Sequence, residues 1–276
     1  MKNGIYIVAT PIGNLKDISE RAKEVFQNAD VIACEDTRVT KKLFSLLGLG
    51  TKKEFIRLDD NTESEQAKNI IKMASEGKAI AQVSDAGSPL ISDPGYKLIR
   101  LCKENNIDVF VVPGACALIC ALQLSGLPTN SFMFNGFIPN KDKARKDMFE
   151  SLKNINTTLV FYETANRIEK TLQAAKITFA EREIAVAREI TKMYEECING
   201  TADELIYHFE KNPPKGEMVM MVAPPNQKNE QHIDPLPLLR DRLKETSLKS
   251  AVKELVDEYG FNKNEIYNLA LKIKDE

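Results

Sequence analysis

Residues 79–95 read Ala79-Ile80-Ala81-Gln82-Val83-Ser84-Asp85-Ala86-Gly87-Ser88-Pro89-Leu90-Ile91-Ser92-Asp93-Pro94-Gly95. The first five form a short apolar run of the kind found in a strand covered on both faces. The remainder cannot continue as regular structure, because Gly87, Pro89, Pro94 and Gly95 break it within twelve residues. Two other β-branched runs end the same way. Ile5–Val8 leads into Thr10-Pro11-Ile12-Gly13-Asn14, and Val109–Val112 into Pro113-Gly114-Ala115-Cys116-Ala117. In open α/β sheets, ligands bind beyond the carboxyl ends of strands, in such loops. One loop of this kind is an ordinary turn, whereas three in one segment point to a small-molecule site.

Between these strands lie segments with helical apolar spacing, so the fold class is α/β. A helix is expected over Glu20–Asn28, with further strands at Val31–Cys34 and Phe55–Leu58. Another helix should follow Thr62 and Glu65, which have capping-box spacing, and end at Gly77. A second set begins after Gly126-Leu127-Pro128. Its strands are Phe132–Phe134, Leu159–Phe161, Ile184–Ala187 and Met218–Val222. Its helices lie around Ala144–Lys153, Arg167–Ala175 and Thr201–Phe209, the last with a capping box at Thr201 and Glu204. Ala223–Glu230 is polar and proline-rich and reads as a linker. Helices over Leu236–Thr246, Leu248–Tyr259 (with Gly260 as C-cap) and Asn264–Ile273 complete the chain. The expected divisions are an N-terminal α/β domain at 1–117, a C-terminal α/β domain at 118–228 and a helical tail at 229–276.

The chain has 276 residues, with 38 Lys+Arg against 40 Asp+Glu and a net charge of −2. That balance excludes binding of nucleic acid by bulk positive charge but permits a local basic patch. The N-terminus lacks a signal-peptide pattern, no apolar run is long enough to span a bilayer, and the five Cys are scattered. Reduced thiols in a cytoplasmic protein are expected, with neither membrane nor metal. Cys116 and Cys120 are spaced to share one face of a buried helix. Neither a dinucleotide fingerprint, a P-loop nor a serine elbow occurs.

Charge is segregated locally. Arg38, Lys41, Lys42, Lys52, Lys53 and Arg57 face only Glu54 between positions 38 and 57. Lys141 and Arg145 sit in a second basic stretch. Both stretches suit phosphates, and both also suit a solvated helix face. Cys34-Glu35-Asp36-Thr37-Arg38 places ionisable residues directly after a buried strand, as a cleft edge or a helix cap. Tyr162, in Phe161-Tyr162-Glu163, could stack on a flat ligand or mark a core margin.

These segments, in this order, resemble the tetrapyrrole (corrin/porphyrin) methylase superfamily, in its branch that methylates small-subunit ribosomal RNA. The similarity runs through Ile7–Leu15, Glu35–Arg38, Val83–Gly95, Val112–Gly114, Ser125–Thr129, Gly136–Pro139, Phe161–Glu163, Ala187–Lys192 and Lys215–Glu217. The resemblance implies two α/β domains with S-adenosylmethionine (SAM) in the cleft between them. It implies methylation of the ribose 2′-OH of a decoding-centre cytidine, cytidine 1402 of 16S rRNA, by a homodimer acting on the small ribosomal subunit. Carried over by motif, cofactor contacts fall at Pro11, Asp85, Ala86, Gly87, Ser88, Cys116, Ala117, Tyr162, Ile190, Gly216 and Glu217. Two departures touch that set. Ala165 stands where the family has Pro, and Ala115-Cys116 stand where it has Pro-Ser.

For the reaction so implied, a base must take the hydroxyl proton, and Glu35, Asp36 and Glu189 are candidates. Arg38, Arg167 and Lys192 could steady a phosphate or the developing alkoxide, and Arg38, Lys41, Lys42, Lys52, Lys53, Lys141 and Arg145 could meet RNA. Two rival readings stay open: a small-molecule methyltransferase of the same superfamily, and a non-enzymatic RNA-binding module. The tail looks like a small helix-turn-helix. With eight cations against ten acids, it suggests docking or dimer support rather than phosphate binding.

Overall fold

The computed structural model describes residues 1–225, 234–259 and 261–275. Contacts divide the chain into a unit at Met1–Pro225 and a helical unit in Asn226–Glu276. The expected Gly260 cap and most of the linker lie outside the described residues.

The first unit holds two five-stranded sheets. Strands β1 (Gly4–Val8), β2 (Val31–Cys34), β3 (Glu54–Arg57), β4 (Ala79–Val83) and β5 (Val109–Val112) form a wholly parallel sheet in the order β3-β2-β4-β1-β5. Helices α1 (Glu20–Asn28), α2 (Thr37–Leu46), α3 (Glu63–Ser75) and α4 (Tyr96–Glu104) make the crossovers. Both sheet faces are covered. Tyr6, Val8, Ile32, Cys34 and Ala81 belong to one core, while Ile5, Val31, Ala33, Ile56 and Ile80 belong to the other. That arrangement is why these strands read as unbroken apolar runs.

Helix α5 (Ala117–Ser125) follows, and Leu118, Ala121 and Leu122 pack on Val160, Ala185, Ala187, Val219 and Met221 of the second sheet. That sheet contains β6 (Phe132–Phe137), β7 (Thr158–Thr164), β8 (Ile184–Arg188), β9 (Glu196–Gly200) and β10 (Glu217–Val222) in the order β6-β7-β10-β8-β9. Only the β6–β7 pair is parallel. Alternate residues Leu159, Phe161, Ile184, Val186 and Met220 face α6 (Asp142–Leu152), α7 (Ile168–Phe179) and α8 (Ala202–Lys211). The tail contains α9 (Pro235–Glu245), α10 (Leu248–Tyr259) and α11 (Lys263–Asp275), packed around Leu239, Ala251, Leu255, Ile266 and Ala270.

The α/β class and helical tail are as read from sequence. Helices α2 and α4 and strand β9 were not named from sequence, although Asp36 and Thr37 were read as a possible helix cap. Strand β9 is an edge strand with no fully buried residue, so it lacks a buried–exposed alternation. The Thr201–Glu204 capping box forms. The expected box at Thr62 and Glu65 does not: Thr62 makes no side-chain cap. Its hydroxyl donates to Asp59 Oδ1 at 2.8 Å, and the same oxygen accepts the Thr62 N–H at 2.9 Å. Asp59 therefore organises the helix entry instead.

Glu63 is buried at the start of α3. Its Oε1 accepts the N–H groups of Gly95, Lys97 and Leu98 at 3.0, 2.8 and 3.4 Å. One carboxylate thus begins α3, caps α4 and anchors the end of the 84–95 loop. Glu63→Ala should destabilise the protein by about 3 kcal/mol in urea unfolding, because buried donors lose a charged acceptor, and Glu63→Gln by about 1 kcal/mol. Equal losses would show that hydrogen bonding to Glu63 is not what holds the junction.

Candidate functional site: a carboxylate-lined cleft between two sheets

The three loops read from sequence are tied to one another. Thr10 and Gly87 exchange backbone hydrogen bonds at 2.8 and 3.1 Å, forming an isolated antiparallel bridge. The Ser88 hydroxyl donates to the Ala115 carbonyl at 3.1 Å. At the far end of the second loop, the Gln82 amide donates to the Pro94 carbonyl at 3.1 Å. Gly95 has φ of 133°, a conformation that side chains rarely adopt, and a Cβ there would lie 1.8 Å from that amide nitrogen and displace it.

These loops wall a cleft of about 400 Å³. Glu35 enters from the end of β2, Asp85, Ala86, Gly87 and Ser88 from the loop after β4, and Cys116 and Ala117 from the start of α5. The second sheet contributes Tyr162 from β7, Glu189 and Ile190 from the loop after β8, and Glu217 from β10. All of these were singled out from sequence. Pro11 and Gly216 do not line the cleft, although their neighbours Ile12 and Glu217 do.

The lining also includes residues that sequence reasoning did not place in its site set: Ile12, Ile91, Ser92, Asp93, Phe137, Glu163, Met218 and Val219; Lys192, a candidate to steady the developing alkoxide, lines it too. Asp93 was legible only as part of its loop. Phe137 was legible only as part of the Gly136–Pro139 segment, because its orientation depends on a register shift between Phe134 and Phe137. The Tyr162 ring packs edge-on against Phe134 and Phe137, with centroids 4.9 and 5.4 Å away, and burial pushes its hydroxyl pKa up. Glu163 is fully buried, accepting the Thr171 hydroxyl at 2.6 Å and pairing with Arg167 at 3.1 Å.

The two sheets meet closely at Gly13, where a Cβ would lie 2.7 Å from Lys192 Cγ and 3.0 Å from the Ile190 carbonyl oxygen. Of the non-glycine residues with positive φ among those described, Leu90, Ser92, Glu189 and Thr191 all fall in two cleft loops. Such strain persists only where the surroundings enforce it.

The electrostatics are one-sided. Glu35, Asp85, Asp93, Glu163, Glu189 and Glu217 line the cleft, with Lys192 as the single cation of that lining, 2.9 Å from Glu189. Burial, followed by repulsion from Asp85, raises the Glu35 pKa. Burial raises Asp85 also, opposed by the Asp36 N–H that it accepts at 3.0 Å. Burial pushes Asp93 up to about 6, a Ser84 hydrogen bond opposing it and Glu35, Asp85 and Glu217 adding to it. No cluster able to hold a metal ion occurs among the described residues.

Three sequence expectations need correction. Asp36 does not line the cleft: its carboxylate caps α2 by accepting the Arg38 N–H at 2.8 Å and holds the Arg38 guanidinium in a fork. Those bonds hold its pKa well below the carboxylate range, which makes it a weak base. Arg145 is only 4% exposed, paired with Asp142 and donating to the Asn140 carbonyl, so it does not face RNA. The half-buried Lys53 donates to the Gln27 and Ala29 carbonyls, and burial lowers its pKa. Lys41, Lys42, Lys52 and Lys141 are exposed, as expected of basic surface. The two departures from the family pattern have structural consequences. Ala165 has an N–H that Pro would lack, and it donates to the Gly216 carbonyl at 3.0 Å. Cys116 stands at the N-cap of α5 without a side-chain bond.

Loops at the carboxyl ends of a parallel sheet, closed by a second, mixed sheet, define a two-lobed α/β enzyme with a small-molecule cleft. Residues 4–206 match the family model for tetrapyrrole (corrin/porphyrin) methylases. The crystal structure of diphthine synthase superposes with a TM-score of 0.62 at 15% identity, covering 80% of this chain and 89% of that one. Ribosomal RNA small subunit methyltransferase I of Rickettsia prowazekii (strain Madrid E) is 40% identical over 99% of this chain and 98% of its own length. The protein of the same name from Erythrobacter litoralis (strain HTCC2594) is 46% identical over 98% and 95%. The chain belongs to the tetrapyrrole methylase family and, within it, to the family of ribosomal RNA small subunit methyltransferase I.

The raised Asp93 pKa has a thermodynamic sign. Its ordinary value is 3.8 and its folded value about 6, so the native state resists ionisation. The associated stability is complete below the ordinary value and is lost as pH rises to about 6. Asp93→Asn should therefore gain melting temperature relative to the parent protein between pH ~4 and ~6, then hold that gain at higher pH. A difference that does not vary with pH would show that Asp93 is not held against ionisation.

Proposed function

We propose that this chain is a SAM-dependent methyltransferase that methylates the ribose 2′-OH of a decoding-centre cytidine in 16S rRNA, on the small ribosomal subunit, in the cytoplasm. The observation carrying the reading is the cleft itself, walled by Asp85–Ser88 from one sheet and by Tyr162, Ile190 and Glu217 from the other. The names of full-length relatives support the RNA substrate.

The residues present suit the cofactor. A sulfonium and an ammonium are cationic, and a lining of carboxylates with one lysine favours cations. Phe137 and Tyr162 provide an aromatic wall for a flat base. The volume lies within the range of ~300–1,000 Å³ typical of ligand pockets. Bound SAM supplies an electrophilic methyl carbon on a good leaving group. The chain supplies alignment through its interlocked loops, and water exclusion through Ile12, Ile91 and Val219. A carboxylate accepts the hydroxyl proton. Glu35 suits that role better than Glu189, because burial raises its pKa while Glu189 is held by Lys192. Arg38, Lys41, Lys42, Lys52 and Lys141 supply exposed positive charge for phosphates.

The lobes divide near Ala117, where α5 begins and packs on the second sheet. This supports a division at 117/118 within the first unit, with the helical unit following the linker read from sequence. A homodimer fits the edge strands, since Val111 on β5 is 58% exposed and Phe132 and Met133 on β6 are exposed as well. Edge strands with apolar surface require cover. Replacing Val111 and Met133 together by Lys should shift the protein toward monomer in light scattering, whereas an unchanged mass would place the dimer contact elsewhere.

Tritium transfer from labelled SAM to small ribosomal subunits, set against transfer to a porphyrinogen, tests the activity. Label in the porphyrinogen alone would overturn the proposal. Asp85→Asn should raise the apparent SAM constant about tenfold and Arg38→Ala much less, because only Asp85 lines the cleft. Equal effects would refute this division of roles.

A further inference from the structure

The tail is electrically balanced on average, but its folded surface is not. Helix α10 carries Lys249, Lys253 and Asp257 at four-residue spacing, which places them along one stripe. Glu254 and Glu258 form a neighbouring stripe, and both are held by Arg242 of α9, at 3.2 and 3.0 Å. Lys244 is likewise paired, with Asp241 at 2.9 Å. Lys249, Lys253 and Lys263 are exposed and make no ion pair with any described residue. Thus α9 occupies two acids of α10, and the unpaired cations collect on the α10–α11 side.

That side is concave. A groove of about 540 Å³ is lined by Lys249, Lys253 and Asp257 on α10 and by Lys263 and Tyr267 on α11. Val252 and Val256 add an apolar lining. Lys263 and Tyr267 are also four residues apart, so the two stripes face each other across the groove. Tyr267 is 39% exposed and leaves ring surface open to solvent. Lysines tracking a groove beside an exposed aromatic ring and an apolar lining are the elements of a single-stranded nucleic-acid site. The cations meet phosphates, and the ring receives a base.

We propose that the α10–α11 groove binds the sugar-phosphate backbone of a single-stranded RNA segment, with Tyr267 stacking on one base. The proposal rests on the ribosomal-RNA reading above for the identity of the nucleic acid. Its site is separate from the methyl-transfer cleft, since none of its residues lines that cleft. It departs from the docking role that the tail's net charge suggests, because the fold separates paired charges from unpaired ones.

The full-length chain is titrated into a short fluorescein-labelled single-stranded RNA at several salt concentrations, with SAM binding followed in parallel by calorimetry. Changing Lys249, Lys253 and Lys263 together to Gln should weaken RNA binding at least tenfold and lower the salt slope by about 2, at roughly 0.7 per phosphate contact. Tyr267→Ala should weaken binding about tenfold, within the range for loss of one stacked base. Tyr267→Phe should restore it, and Lys244→Gln, which removes an already paired charge, should leave it unchanged. SAM affinity should stay constant throughout. The single variant Lys253→Gln, with a slope reduced by about 0.7, provides the same reading if the triple variant melts early. An unchanged slope in the lysine variants overturns the proposal, as does equal loss in Lys244→Gln. So does tighter binding of an acidic polypeptide than of RNA in the same groove. Methyl transfer to small subunits is scored separately. Lysine variants with normal RNA binding sink the groove alone, whereas a parent protein that binds RNA but transfers no methyl group sinks the enzymatic reading alone.

Discussion

The two-way hydrogen bond between Thr10 and Gly87 is the constraint on which the site depends. It joins the loop after the first strand to the loop after the fourth, and the Ser88–Ala115 bond extends the tie to the loop after the fifth. Loops rich in Gly and Pro are not ordered by side-chain packing of their own. They become a wall because backbone groups of one satisfy those of the next. Gly87 has φ of 83°, which suits glycine at this bridge. Once the loops are joined, Asp85, Ser88 and Cys116 have fixed places, and the second sheet can close over them.

Closure has an electrostatic consequence. Carboxylates from both sheets converge on one cleft, and burial raises the pKa of several of them. Without a partner, that arrangement favours the uncharged form. A cationic ligand relieves both the desolvation and the mutual repulsion. The same acidity disfavours phosphate inside the cleft. Exposed cations of the chain, Lys41, Lys42 and Lys52 among them, lie outside the cleft lining. Strained loop residues Leu90, Ser92, Glu189 and Thr191 lie beside this region, where rigidity serves alignment.

The tail illustrates how folding redistributes charge. Its composition has no basic excess, yet Arg242 draws Glu254 and Glu258 to one side of α10 while Lys249 and Lys253 occupy another. Composition averages over all faces of a helix, but a ligand meets only one.

The amino-acid order was enough to establish strands, most helices and the loops that bear the site. Unbroken apolar runs mark strands covered on both faces, and Gly and Pro restrict φ locally whatever surrounds them. The residues it singled out as candidate bases, Glu35 and Glu189, and those the family resemblance implied as cofactor contacts, Asp85, Tyr162 and Glu217, line one cleft. Tertiary structure decided what those local rules do not encode. Thr62 yields its cap to Asp59, Arg145 turns inward, and Asp36 engages Arg38 and the start of α2 instead of the cleft. Phe137 and Asp93 reach the site only through a register shift and a loop whose end is clamped by Glu63 and Gln82. Which partner a polar side chain finds, and whether its charge is buried, depends on residues distant in the chain, and those distances exist only after folding.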